Sequence, residues 1–489
     1  MLDFLIANNA NVKLYGGQAV YSATESQKMS NLKTLLAHGA DVNTLGGRMG
    51  SPLQVSIDDN QMDYMVLLLD YGANVNFQGG DFGTPLQQAV ESGSKPMAME
   101  LLKRGAKVNV TAGKWGSALA IASRKGDEAM FHELLRRGAD PNLTYGLYGN
   151  PLQAAIGGQY YNLANELLDC GVDPSIRAAY GTALVAAAGY GKAGQLELVK
   201  RLISLGVDIE AANQPQSEDS GDGTHITALQ HAAYTGNESI ARLLLEAGAN
   251  VNAHEGTYGY ALQVAAMEGN YSMVVFLLER GANLNSVGGK FGTALQAATY
   301  KAHNSIIDYL LQNGADVNAE GGRYGSPLQA ACRLGDIHSV RLFLERGANV
   351  NSNTGYYGSP LQAAAKWGKF GIVTLLLEQG ADVNLISGKH GGALQAACCN
   401  HQTGVWGLRV IELLLERGAN VDQEGGKWGT ALQAAAYHQQ SYVEALLKHG
   451  ADSNLKGGRF GSPLEAAKKK GFSRVAKLLI RYGAIEECY

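Results

Sequence analysis

At 489 residues the chain has room for several ordinary domains, and 40 basic against 44 acidic residues leave a net charge of −4, too mild to argue for nucleic acid or a membrane surface as a partner. No run of 18 apolar residues occurs, so no membrane span is expected. Five cysteines (Cys170, Cys332, Cys398, Cys399 and Cys488) show no framework, and an odd count suits reduced thiols in the cytosol or nucleus.

The opening stretch, MLDFLIANNANVKLYGG, lacks the basic leader and small-residue cleavage site of a signal peptide. Phe4, Leu5 and Ile6 suit the end of a helix and Asn11-Val12 a link, so residues 1–16 read as a truncated half repeat. Either a further domain precedes Met1 or an apolar face lies uncovered; terminal repeats usually carry polar caps, which favours the former.

From Leu53 onward one position recurs as a ruler: Leu53, Leu86, Leu119, Leu152, Leu184, Leu229, Leu262, Leu295, Leu328, Leu361, Leu394, Leu432 and Leu464. Val20 marks a degraded copy one step upstream. The step is 33 residues, except for 32 before Leu184 and Leu464, 45 before Leu229 and 38 before Leu432. A period of this size means a solenoid, in which each repeat contacts only its neighbours, so one long domain over residues 1–489 is expected.

The copy around Leu295 shows what one repeat contains. Ala294, Ala297 and Ala298 give a first helix a small face, and His303-Asn304-Ser305 form a polar turn. Ile306, Ile307, Leu310 and Leu311 then line one face of a second helix. Gly314 follows as the residue that ends a helix best, and Gly321-Gly322 opens a turn-rich link. Most of the 63 glycines fall in these links and helix ends.

Gly325-Ser326-Pro327-Leu328-Gln329-Ala330-Ala331 and Leu375-Leu376-Leu377-Glu378-Gln379-Gly380-Ala381-Asp382-Val383-Asn384 resemble the two halves of the ankyrin repeat. The resemblance covers nearly the whole chain in about fourteen copies. It implies an all-α ankyrin-repeat solenoid of helix-turn-helix units joined by hairpin-like loops. Two features depart from the family pattern: a glutamine replaces the usual histidine after the leucine, as at Gln54, Gln296 and Gln433, and the loop reads GG-x-aromatic-G. This variant resembles ankyrin proteins of filamentous fungi, some joined to nucleotide-binding receptor modules. The glutamine amide is expected to bridge neighbouring backbones.

Departures from the period mark insertions, which in repeat proteins map to loops. The first adds twelve residues between Leu184 and Leu229, some near Lys192-Ala193-Gly194 and the rest in an acidic loop at 213–224. Glu218, Asp219 and Asp222 lack the spacing of a calcium loop, so a solvated loop is expected there. The second adds five residues between the helices at 399–407. Cys398, Cys399 and His401 do not have the ligand spacing of a structural zinc site, Cys398 matches a small buried slot, and Trp406 is expected to fold back over the longer turn. Residues 461–489 carry Lys468, Lys469, Lys470, Arg474, Lys477 and Arg481, as suits the polar face of a capping repeat.

No arrangement of residues points to catalysis. GGKFGT at Gly288 and GGKWGT at Gly425 place an aromatic after the lysine, recur many times, and follow no strand, unlike a phosphate-binding loop. There is no HExxH, nucleophile elbow or CxxC pair. No enzyme activity, cofactor or metal is expected.

The stronger pattern lies at the loop tips. An aromatic or similar residue precedes the last glycine at Met49, Phe82, Trp115, Tyr148, Tyr180, Tyr258, Phe291, Tyr324, Tyr357, His390, Trp428 and Phe460. The residue before it is basic at Arg48, Lys114, Lys290, Arg323, Lys389, Lys427 and Arg459, and acidic only at Asp81. The aromatics either pack between repeats or meet a partner; the cations serve either binding or solubility. First-helix positions vary from copy to copy, among them Asp58, Asp59, Arg124, Lys125, Met267, Tyr300, Arg333, Lys366, Trp367, Tyr437 and His438. They are either a solvated face or the place a partner is read, with Trp367 beside Lys366 the favoured anchor.

Together these readings predict a non-catalytic scaffold that binds another protein along its loop tips and first-helix surface. Partner contacts are assigned to Arg48, Lys114, Trp115, Lys290, Phe291, Arg323, Tyr324, Lys366, Trp367, Lys389, Lys427, Trp428 and Arg459. Direct binding of nucleic acid is not expected. The fungal resemblance implies a transcriptional co-regulator as the alternative, and an unrecognised enzyme or small-molecule binder is a third.

Overall fold

The structure, a computed structural model, describes residues 12–48, 50–178, 181–189, 193–212, 226–399, 405–438 and 440–486. The period becomes pairs of short helices. In the copy at Leu295 the first helix spans Ala294–Lys301 and the second Asn304–Gln312, 8 and 9 residues that would be marginal alone in water. Packing supplies the missing stability: Leu295, Ala297, Ala298, Ile306, Ile307 and Leu310 are almost completely buried.

The repeated glutamine explains how the copies stay in register. Thr293 Oγ1 accepts from the Gln296 N–H at 3.2 Å, and Gln296 Oε1 accepts from the Thr293 N–H at 2.6 Å, a reciprocal cap that satisfies the start of the helix. The other end of the amide donates into the next repeat, to Gly321 O at 3.2 Å and Gly325 O at 2.7 Å. Gln54 does the same to Gly79 O and Gly83 O, at 2.8 and 3.1 Å. An amide has one acceptor and two donors, enough for the cap and both carbonyls; a neutral imidazole has one of each.

A second seam lies beyond the second helices. Asn285 Oδ1 accepts from the Asp316 N–H at 2.8 Å while its Nδ2 donates to Gly314 O at 3.3 Å. The loop glycines are required by space as well as dihedral: Gly322 has φ +61°, and a Cβ there would sit 2.5 Å from the Gly292 nitrogen.

Compactness divides the chain into two units, Met1–Ala232 with Ser239–Ala249, and Ala233–Glu238 with Asn250–Tyr489. The described helices of the first run from Val12–Glu25 and Met29–Ala37 through Ala183–Ala188 and Gln195–Ser204. Those of the second run from Ala261–Glu268 and Tyr271–Glu279 through Pro463–Lys470 and Ser473–Arg481. The final helix buries Val475 and Leu479 and exposes Arg474, Lys477 and Arg481.

Two local expectations change. The link expected at Val12 is the start of the helix Val12–Glu25. Gly16-Gly17 there is followed by Gln18-Ala19-Val20, with no closing glycine to complete the hairpin found in other copies. Trp406, expected to cover the longer turn, lies on the surface at 56% exposure, because the helix Val405–Glu416 places it beside the Phe370 ring, 6.0 Å away. The acidic loop at 213–224, Lys192 and His401 lie outside the described residues.

Cys332 and Cys398 fill the small buried slot, and burial raises both thiols above the ordinary range. Burial likewise pushes Cys399 up to about 12, with Lys366 and Lys427 opposing. None is poised as a nucleophile.

Candidate functional site

In the second unit the loop tips from Thr257 to Lys427 are tied together by one backbone hydrogen bond per repeat. The Lys290 N–H donates to Thr257 O at 2.7 Å, Arg323 to Lys290 O at 2.9 Å and Tyr356 to Arg323 O at 3.2 Å. The chain of bonds continues with Lys389 to Tyr356 O at 3.4 Å and Lys427 to Lys389 O at 3.1 Å. This seam sets the tip side chains at repeating positions. Lys290, Arg323, Lys389, Lys427 and Arg459 are all exposed, and none pairs with a carboxylate among the described residues.

The neighbouring aromatics are occupied by packing. Phe291, Tyr324 and Trp428 are at most 8% exposed, which gives the packing role to three rings assigned above to partner contact. Each ring meets another from the end of a first helix or the next loop. Phe291 lies 5.2 Å from Tyr300, Tyr300 stacks on Tyr324 at 5.1 Å, and Trp428 stacks on Tyr437 at 5.0 Å and Phe460 at 5.8 Å. The exposed cations lie over these rings or others at the tips: Lys427 over Trp428 at 4.9 Å, Arg323 and Lys389 over Tyr356 at 5.8 and 5.0 Å. Such contacts hold each cation at about 0.5–1 kcal/mol while leaving its outer side to solvent.

Tyr356 escaped the sequence reading. It stands where other copies have a cation, and its hydroxyl accepts from Lys389 Nζ at 2.6 Å. The tyrosine pair Tyr356-Tyr357, where other tips have one aromatic, was the available signal.

Behind the tips, first-helix residues converge. The Arg333 guanidinium lies 5.1 to 5.6 Å from the rings of Tyr300, Tyr324 and Trp367. Burial, then the hydrogen bond with Tyr300, pushes the Tyr324 hydroxyl up to about 12, against the lowering effect of Arg333. Lys366 and Trp367 are half-buried, so Trp367, the favoured anchor, forms a wall of the surface. With Tyr356, Lys389, Lys427 and Trp428 they line a cavity of about 290 Å³.

In the first unit the same positions are used otherwise. Arg48 Nε meets Asp81 Oδ2 at 2.6 Å, and Arg124 Nη2 meets Glu91 at 2.6 Å. Each pair spans 33 residues, one period, so an acid one step from a base was readable in the sequence. Lys114 is exposed over Trp115 at 4.6 Å, with Arg124 over the same ring at 4.5 Å, and Trp115 stacks on Tyr148. Among the described residues no cluster of His, Cys, Asp or Glu would hold a metal, and no helix is long and apolar enough to cross a membrane.

A family model described as ankyrin repeats (3 copies) matches residues 119–213, 192–287, 255–321, 295–387 and 361–457. Among solved structures, the human ASB11 ankyrin repeat domain is similar at 27% identity and a TM-score of 0.39, covering 46% of this chain and 99% of that one. No curated protein matches. Helix pairs of 33-residue period, tied by hairpin-like loops and matched by the family model over more than half their length, make this chain a member of the ankyrin-repeat family.

Proposed function

We propose that the chain is a non-catalytic protein-interaction scaffold whose second unit receives an acidic surface of a partner protein. The observation that carries this is the row of exposed cations at Lys290, Arg323, Lys389, Lys427 and Arg459, the first four joined by a backbone seam and none paired with a carboxylate among the described residues. Solubility alone does not call for cations of one sign in register, whereas complementary charge steers association and fixes orientation. The first-helix residues Lys366 and Trp367 extend the same surface. The glutamine and double-glycine loops support placing the array with those of filamentous fungi, where a recognition arm or a transcriptional co-regulator acts through protein contacts.

Affinity capture from native extract tests this, run in parallel with the wild type and a Lys290/Arg323/Lys389/Lys427→Ala variant. Proteins held by the wild type and lost with the variant, with binding that weakens steeply as salt is added, are the expected result. An array that holds no protein, or holds one equally with and without the four cations, removes the proposal.

A further inference from the structure

Anionic ligands need positive charge that converges, and one place in the second unit supplies it from three repeats. Lys366 comes from the end of a first helix, Lys389 from the next loop tip and Lys427 from the tip after that; all three line the 290 Å³ cavity. No carboxylate is among its lining residues, and none of the three lysines pairs with a described carboxylate. Only some of their donors are used: Lys366 Nζ donates to Cys399 O, and Lys389 Nζ to Tyr356 Oη at 2.6 Å. An ammonium has three donors, so each keeps capacity for a ligand.

Two further observations point the same way. Trp367 lines this cavity, and its indole N–H is buried without an acceptor. A buried donor without a partner asks for an explanation, and a ligand oxygen would supply one. Burial also lowers Lys366 below its ordinary range, with Cys399 and Tyr356 opposing and Lys389 adding to it, as expected of an ammonium drawn partly out of water.

We infer that this cavity is a receptor for one anionic side chain of the partner protein, a carboxylate or a phosphate, held by Lys366, Lys389 and Lys427 against the Trp367 and Trp428 rings. The inference rests on the scaffold reading above and names the chemistry that the scaffold recognises. Its volume suits a single side chain, not a whole small-molecule ligand. Lysines as point charges accept a carboxylate or a tetrahedral phosphate without the planar fork that arginine requires.

The experiment titrates the full chain with three probes: inorganic phosphate, a short peptide with one glutamate among neutral residues, and the same peptide with phosphoserine at that position. Intrinsic tryptophan fluorescence is the readout, since Trp367 and Trp428 wall the cavity. Saturable binding of either peptide is expected, weakened roughly tenfold or more in Lys366→Gln, as for loss of one charge-assisted hydrogen bond. Lys389→Ala and Lys427→Ala, at exposed positions that leave the core untouched, should weaken it severalfold each. The peptide that binds tighter identifies carboxylate or phosphate as the group recognised. Binding of inorganic phosphate alone, with neither peptide held, overturns the inference, as does peptide binding unchanged in all three variants. The capture experiment keeps the two ideas separate: a partner held equally by the wild type and Lys366→Gln leaves the scaffold standing and removes the pocket.

Discussion

The two units share a scaffold and differ in how they treat positive charge. In the first, Arg48 faces Asp81 and Arg124 faces Glu91, two cations neutralised by an acid one repeat away, and only Lys114 lies over a ring without a described acid. In the second, Lys290, Arg323, Lys389 and Lys427 occupy the tip position of Arg48, and Arg333 and Lys366 that of Arg124, and they lie against rings and carbonyls. An ion pair consumes its charge locally; a cation over an aromatic face keeps its field. The difference teaches that repeat position alone does not make a binding surface. What matters is whether the next repeat supplies an acid or a ring.

The sharpest test of the shared scaffold is the glutamine seam, because it should not distinguish the units. Gln54→Ala and Gln296→Ala each strip a helix cap and leave buried carbonyls unmet in the next loop. Each should cost about 2–3 kcal/mol in chemical denaturation, and amide exchange should rise first at Gly79 and Gly321 respectively, whose N–H groups donate to Gly83 O and Gly325 O. Unequal costs would show that the units differ in framework as well as in surface. Next in size is Glu91→Gln, which leaves the Arg124 guanidinium without its carboxylate where both side chains are only about 20% exposed. With solvent still reaching the pair, a loss of about 1–2 kcal/mol is expected, below the full value for a buried ion pair. Arg333→Gln in the second unit removes no ion pair, so its cost should come from ring contacts alone and change little with salt.

Much of the framework was legible because it repeats. The leucine ruler, the Ser/Thr-x-x-Gln cap and the glycine loops depend on residues a fixed step apart, and the amide bridging expected of the glutamines is what Gln296 does. The tip cations were legible too. The cavity was not, since Lys366 lies 23 residues before Lys389 and 61 before Lys427, and neither interval falls on the period. Trp406 was misjudged for a related reason: an inserted turn has no repeated copy to show where its side chains go. Phe291, Tyr324 and Trp428 could be listed as aromatic, but whether a ring faces solvent or the next ring is decided by the first-helix residue behind it, Tyr300, Arg333 or Tyr437.

A smaller effect separates the units by pH. Lys366 in the folded chain holds its proton less tightly than an ordinary lysine, chiefly through burial, with Lys389 reinforcing this and Cys399 and Tyr356 opposing it. The unfolded chain therefore binds the proton more tightly, and this group costs stability while both states are protonated. Stability should rise as pH climbs from the lowered folded value towards 10.5. Lys366→Gln abolishes that rise, so denaturation midpoints of wild type and variant should converge over the same interval. A gap independent of pH would assign Lys366 an ordinary solvated role.

The smallest expected change comes from Asp81→Ala in the first unit. The Arg48–Asp81 pair is largely exposed, with side chains at 81% and 55%, so its removal should shift stability by less than about 0.5 kcal/mol. The variant nevertheless turns that tip into the kind found in the second unit, with Arg48 unpaired and Lys114 one repeat beyond its new neighbour. If free charge at the tips is what attracts an acidic partner, the glutamate peptide should bind the variant's first unit weakly and only at low salt. A single exposed cation is screened by salt, whereas the cavity beside Lys366 gathers three. A gain that persists at high salt would mean that unpaired cations suffice and that the aromatic walls around Lys366 add nothing to recognition.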